Sequence, residues 1–140
     1  MNTKKAFQGK HSELTDLVIK AFYIVYNELG YGFSEKIYEK AMVIVLTGMG
    51  LIVEKEKRIP VYFRGEVLGE YIADLVINGA VMVELKAVSH TLEVHEAQLL
   101  NYLKATEIEV GLLLNFGPEP KVIRKAYDNT QKGTLSWTKI

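Results

Sequence analysis

The stretch Asp74-Leu75-Val76-Ile77-Asn78-Gly79-Ala80-Val81-Met82-Val83-Glu84-Leu85-Lys86 decides how this chain is read. Asn-Gly between two apolar runs is a strong hairpin signal, because both residues tolerate the positive φ of a tight turn. The flanking runs, Val67 to Val76 and Ala80 to Val88, are therefore expected to be antiparallel strands. Side chains alternate along a strand, so Glu84 and Lys86 share one face. Val81, Val83 and Leu85 point the other way, into the expected core. A charged pair on so apolar a strand is costly to bury without partners.

Asp74 and Glu84 can act together only in certain hairpin registers. A two-residue turn would pair Ile77 with Ala80 and set Asp74 opposite Val83, with its carboxylate facing away from Glu84. A three-residue loop, Ile77-Asn78-Gly79 with Gly79 left-handed, would set Asp74 opposite Met82 and diagonal to Glu84 on one face. The expectation is a bulged turn at Gly79, or an equivalent irregularity between the two carboxylates.

Upstream of the hairpin, Leu51 to Phe63 interleaves charges with Val, Ile and aromatics and reads as another strand. Pro60 inside it signals an edge or a bulge, and Arg64-Gly65-Glu66 is the turn into the next strand. Apolar residues at Leu14, Leu17, Val18, Ala21, Phe22, Val25 and Leu29 have helical spacing, with Ser12 as N-cap and Gly30 as the stop. Ser34 caps a second helix with the stripe Ile37, Ala41, Ile44 and Val45, ended by Gly48 and Gly50.

Downstream, Thr91 to Thr106 is helical, with Leu92, His95, Leu99, Tyr102 and Leu103 along one side. Val110 to Phe116 is an unbroken apolar run, as in a strand buried on both faces. Lys121 to Tyr127 reads as a last strand. A third strand, a helix and a parallel fourth strand make a right-handed crossover. The fold class is α/β: a sandwich on a mixed central sheet, with N-terminal helices and a β-α-β crossover.

The chain has 140 residues. It is expected to form a single domain over residues 1–140, with a core of about residues 12–127. The tail 128–140, with its isolated Trp137, is unassigned. With no cysteine, disulfides, thiolate catalysis and cysteine-ligated metals are excluded. Seventeen basic and seventeen acidic side chains cancel, which argues against coating nucleic acid by bulk charge. The basic start, MNTKKAFQGKH, has no apolar segment behind it, and no apolar run approaches a membrane span. A cytoplasmic location without membrane contact is expected.

Asp74 and Glu84 offer hard oxygen ligands suited to Mg²⁺, with Mn²⁺ able to substitute. The Leu85 carbonyl is a candidate third ligand. Lys86 beside such an ion would orient an attacking water or offset charge on a phosphate. The plainer alternative is a cross-strand salt bridge on a wet sheet face, since such residues are common there. Gln98 and Tyr102 are four apart on the following helix and so on one helical face. Glu35 opens the second helix, where the dipole favours a carboxylate.

Taken in order, these residues resemble a family. Gly32-Phe-Ser-Glu35-Lys-Ile-Tyr38 looks like the signature of the GxxExxY proteins, a group within the PD-(D/E)xK nuclease superfamily. Asp74, then Glu84-Leu85-Lys86, then Gln98-Leu-Leu-Asn-Tyr102 matches the superfamily's remaining motifs. The last is similar to the QxxxY motif of RecB-type and lambda-exonuclease-like nucleases. The resemblance implies a restriction-endonuclease-like fold and metal-dependent hydrolysis of phosphodiester bonds in DNA or RNA. It also implies Asp74 and Glu84 as metal ligands, Lys86 as catalytic lysine, Glu35 as acidic helper, and Gln98 and Tyr102 as supporting residues.

The alternatives are a nucleic-acid-binding module that does not cleave, and an accessory or scaffold subunit with the same fold. Substrate grip from a homodimer mate or a partner protein is compatible with the zero net charge. His11, His90 and His95 lack a zinc-ligand spacing. Lys55, Lys57, Arg58, Arg64, Lys104, Lys121, Arg124 and Lys125 are candidate phosphate contacts, each more often a solvated surface charge.

Overall fold

The computed structural model describes residues 9–133. Residues 1–8 of the basic start, and Trp137 in the tail, lie outside the described residues. The elements run α1 (Ser12–Leu29), α2 (Glu35–Gly48), β1 (Val53–Phe63), β2 (Glu66–Ile77), β3 (Val81–Lys86), α3 (Glu93–Ala105), β4 (Val110–Phe116) and β5 (Pro120–Ala126). A 3₁₀ turn, Asn129–Gln131, follows. The five strands form one mixed sheet in the order β1-β2-β3-β4-β5. β3 and β4 are parallel, joined across α3, and the other neighbours are antiparallel.

Helices cover both faces. One core joins Val18, Phe22, Tyr38, Met42 and Leu46 of α1 and α2 to Leu75, Val81, Val83, Leu85, Leu112 and Phe116 of the sheet. The other joins Leu99 and Leu103 of α3 to Ala73, Val76, Met82 and Leu113. β4 is buried along its whole length, as an unbroken apolar run requires. β1 is an edge strand, which accounts for Pro60. α1 begins one residue earlier than expected, with Ser12 as its first helical residue rather than its cap. His11 is the N-cap, in the left-handed region, and the Thr15 hydroxyl donates to the Ser12 carbonyl. Ser34 holds the N-cap place of α2 with extended backbone but without a side-chain capping bond.

The hairpin turn is irregular in the expected way but with the opposite offset. Asn78 and Gly79 both have positive φ, 52° and 66°. The Ala80 amide donates to the Ile77 carbonyl at 2.9 Å. Ile77, however, pairs with Val81 rather than with Ala80, so Ala80 is the extra residue. The loop is thus 78–80, not 77–79, and extending the ladder sets Asp74 opposite Glu84 rather than Met82. Asn78 also anchors β1. Its side-chain oxygen accepts from the Ile52 amide and its own amide donates to the Ile52 carbonyl, both at 2.8 Å.

The β1–β2 pair changes faces part-way along. Leu75 and Ile77 belong to the α1/α2 core, yet Ala73, two residues before Leu75, belongs to the α3 core. Across the ladder, Val53 packs on the first core and Ile59 lies in the second. Strict alternation would keep each set on one face. The register brackets the switch: Lys55 pairs with Leu75 and Lys57 with Ala73, leaving Glu56 opposite Asp74. Glu56 has φ 49°, a left-handed conformation inside a strand. A further register shift lies at Val61/Tyr62, opposite Gly69.

The far end of β3 is held from β4. Asn115, buried and paired with Lys86, accepts from the Val88 amide at 3.0 Å and donates to the Val88 carbonyl at 2.9 Å. Gly117 lies against the same carbonyl, where a Cβ would come within 2.3 Å of the Val88 oxygen. A Cβ on Gly111 would meet only the Leu99 side chain, 2.8 Å from its Cδ1. Backbone cannot yield as a leucine tip can. Gly117→Ala is therefore expected to cost about 2–3 kcal/mol and Gly111→Ala about 1 kcal/mol or less. Urea midpoints at unchanged m-value check this, and equal losses would contradict it.

Candidate active site

β2 and β3 separate just beyond the Leu75–Val83 pair. There the Asp74 carboxylate takes the place of a strand partner, its Oδ2 accepting from the Leu85 amide at 2.8 Å. In an extended strand the amide and carbonyl of one residue point to the same side. The Leu85 carbonyl therefore also faces the gap that Asp74 occupies. Glu84 sits across the gap, and its neighbours Met82 and Lys86 share its face by alternation.

A cavity of about 260 Å³ opens at this fork, lined by Glu35, Lys36, Glu39, Glu56, Asp74 and Leu85. Glu35 reaches it because α2 starts there. Lys36 spans the rim, its ammonium 3.2 Å from Glu39 and paired with Glu56. Lys86 is half-buried and makes no hydrogen bond or ion pair among the described residues. Its charge is close enough to pull the titration of both Asp74 and Glu84 downward.

The electrostatics are those of carboxylates short of a cation. Burial, and then the Asp74 charge, push the Glu84 carboxyl up to about 8. Burial also raises Asp74, against the Leu85 amide and Lys86, which lower it. Among the described residues no three His, Asp or Glu side chains are grouped to hold a metal by themselves. The donor set that fits a hard cation is two carboxylates with the Leu85 carbonyl. That suits Mg²⁺, which keeps several waters and uses only one or two carboxylates.

α3 supplies the other wall. Tyr102 stacks on Tyr71 of β2, ring centroids 3.6 Å apart and planes 17° apart, and the Tyr71 hydroxyl donates to Glu84. Gln98 is exposed beside Tyr102 and bonds to neither Lys86 nor the carboxylates. His95 is half-buried, and its titration is lowered by burial, Lys86 and His90, so it lies near Lys86. His90 is exposed and meets the Thr91 carbonyl, while His11 caps α1 far along the chain.

Several of the basic candidates are engaged elsewhere. Lys57 pairs with Glu54 at 2.8 Å, Arg58 with Glu70 at 3.1 Å and Lys125 with Glu96 at 3.3 Å. Arg64 lies over Phe63, Lys104 over Tyr127, and Arg124 donates to the Lys10 carbonyl. Lys55 and Lys121 are exposed.

Sequence reasoning missed Tyr71, Lys36 and Glu56. Glu39, one turn after Glu35 on α2, also lines the cavity. Tyr71 had no readable signal, because alternation from Asp74 places it on the wrong face. Only the face switch at Glu56 and Asp74 brings it to Glu84.

Among solved structures, SSO0001 aligns with a TM-score of 0.53 at 22% identity, covering 89% of this chain. This chain spans 63% of that one's length. An alkaline exonuclease (LHK-Exo) from Laribacter hongkongensis aligns at 0.46 and 8% identity, over 93% of this chain and 77% of that one. No curated protein sequence matches. The likeness to SSO0001 is one of fold, and the fold is the expected restriction-endonuclease-like α/β sandwich. The family model described as the PD-(D/E)XK nuclease superfamily matches residues 12–126, from the first turn of α1 to the end of β5, and this chain belongs to that superfamily.

Proposed function

We propose that this chain is a magnesium-dependent nuclease of the GxxExxY type that hydrolyses phosphodiester bonds in DNA or RNA. One observation carries the reading. Asp74 and Glu84 oppose each other at the β2–β3 fork, the Leu85 backbone faces the same gap, and unpaired Lys86 follows on the strand of Glu84. Asp74, Glu84 and the Leu85 carbonyl would hold the ion, with Mn²⁺ able to replace Mg²⁺. When bound, the ion supplies Lewis acidity at the phosphodiester and lowers the pKa of water.

The protein's own groups do the rest. Lys86 presents an ammonium to the attacking water or to charge developing on the phosphate. Glu35 adds a carboxylate at the cavity mouth, and Tyr102 with Gln98 forms the wall along which substrate would lie. Grip on nucleic acid comes partly from a second copy or a partner protein. The ion-paired state of Lys57, Arg58 and Lys125 supports that reading. Among the described residues no helix is long and apolar enough to cross a membrane.

The pure protein is expected to cleave plasmid, linear DNA or RNA with Mg²⁺ or Mn²⁺ and to stop in EDTA. Lys86→Ala should lose at least about a hundredfold in rate with an unchanged melting temperature. Equal rates for Lys86→Ala and wild type would refute the catalytic role, and a protein inert on all three substrates would favour the non-cleaving binding module.

Asp74→Asn keeps an acceptor for the Leu85 amide but loses the charge. It is expected to lose both cleavage and Mn²⁺ binding while staying folded. Anomalous diffraction from Mn²⁺-soaked crystals should place the ion between Asp74 and Glu84. An occupied site elsewhere with this one empty would sink the assignment.

The raised Glu84 also makes a stability prediction. In the metal-free protein the folded state holds a proton up to about pH 8 that the unfolded chain releases near 4.5. Its contribution is therefore fully present below about 4.5 and is lost as pH rises toward 8. The melting temperature in EDTA should fall across that window more steeply for wild type than for Glu84→Gln. Parallel curves would show that Glu84 is not the group responsible.

A further inference from the structure

Tyr71 belongs to none of the motifs and has no counterpart in the roles assigned so far. It lies on β2, three residues before Asp74, and strict alternation would aim its ring away from the Asp74 face. The face switch at Glu56 and Asp74 instead delivers it to the α3 side, where it packs on the core of Leu99 and Leu103. There it stacks face to face on Tyr102, and its hydroxyl donates to Oε2 of Glu84.

We propose that Tyr71 is a positioning residue for Glu84: its hydroxyl holds one carboxylate oxygen, its ring is held in turn by Tyr102, and Glu84 is thereby kept in the orientation that lets its other oxygen meet a divalent cation. The assignment rests on the metal-nuclease reading above. It gives Tyr102 a definite task, as the surface that fixes the ring of Tyr71.

Three features carry the argument. A glutamate has three side-chain torsions, and ordering them costs entropy that a ligand must otherwise overcome. A tyrosine has two, and this one is clamped on a face by another ring. Hydrogen bonds to a carboxylate from outside the ligand set are the usual means of orienting it, and losing one typically costs 10–100-fold in metal affinity. A phenol hydroxyl is a donor that carries no formal charge, so it orients the carboxylate without competing with a cation for it.

The test compares Tyr71→Phe with Tyr71→Leu. Phe keeps the stack and removes only the hydroxyl, whereas Leu removes both. Mn²⁺ affinity of the full chain is measured by calorimetry, and cleavage is resolved into kcat and KM. Tyr71→Phe is expected to weaken Mn²⁺ about tenfold or more, with nucleic-acid KM unchanged and melting temperature nearly so. Tyr71→Leu should lose stability as well.

A second readout needs no metal. In EDTA the melting shifts of Tyr71→Phe and Glu84→Leu should not add fully in the double variant, because each alone removes the same Tyr71–Glu84 hydrogen bond. Additive shifts, or a Tyr71→Phe protein that binds Mn²⁺ as tightly as wild type, would overturn the assignment while leaving the nuclease reading intact. A wild-type protein that binds no Mn²⁺ would overturn both.

Discussion

The bond from the Leu85 amide to the Asp74 carboxylate governs the geometry around it. A regular ladder would use that amide for a β2 carbonyl and keep the two strands together. By supplying its side chain instead, Asp74 ends the pairing after Leu75–Val83 and opens the fork. The same substitution of side chain for backbone fixes the Asp74 carboxylate in the gap, opposite Glu84 and near Glu35. Burial first, and then the charge of Asp74 beside it, is why Glu84 gives up its proton so reluctantly. The fold bears that cost because both acids sit on strands whose other faces are fully packed.

The Gly32…Glu35…Tyr38 run divides into three physical jobs. Gly32 turns the chain with φ 115° between α1 and α2. Glu35 opens α2 at the mouth of the fork. Tyr38 is structural: fully buried, it lies flat on Phe116 at 4.0 Å and donates to the Gly30 carbonyl at 2.6 Å. That bond ties the interhelical break to the sheet. The tyrosine thus fixes where α2 begins and, through that, where Glu35 points.

Much of this was legible in the chain before any coordinates. The helical stripes, the apolar run of β4 and the crossover follow from periodicity, since each reports a buried face. The fork residues were legible because Glu84 and Lys86 break the pattern of a core strand. The offset of the hairpin was not, because Asn78-Gly79 permits several loops and only the packing of Val81, Val83 and Leu85 against α1 and α2 selects one. Tyr71 and Glu56 were hidden for a different reason. Alternation is the rule by which a strand is read, and these two owe their places to the point where the rule fails. Lys132 is a third case. Its ammonium donates to the Thr106 and Ile108 carbonyls at 2.6 and 3.0 Å, sealing the turn after α3, though nothing in the polar tail marks it out.

The bulge at Ala80 has a consequence for how this chain can change in length. The residues between Ile77 and Val81 set the offset that brings Asp74 opposite Glu84. Adding or deleting one residue there would rotate every β3 side chain to the opposite face, exchanging Val81, Val83 and Leu85 for Met82, Glu84 and Lys86. The tip of the β1–β2 hairpin at Arg64 and Gly65 is under no such constraint, since it lies beyond both the fork and the face switch and already carries a register shift. Insertions and deletions should therefore accumulate at residues 64–65 and be purged at residues 78–80, although both are exposed turns of similar sequence character.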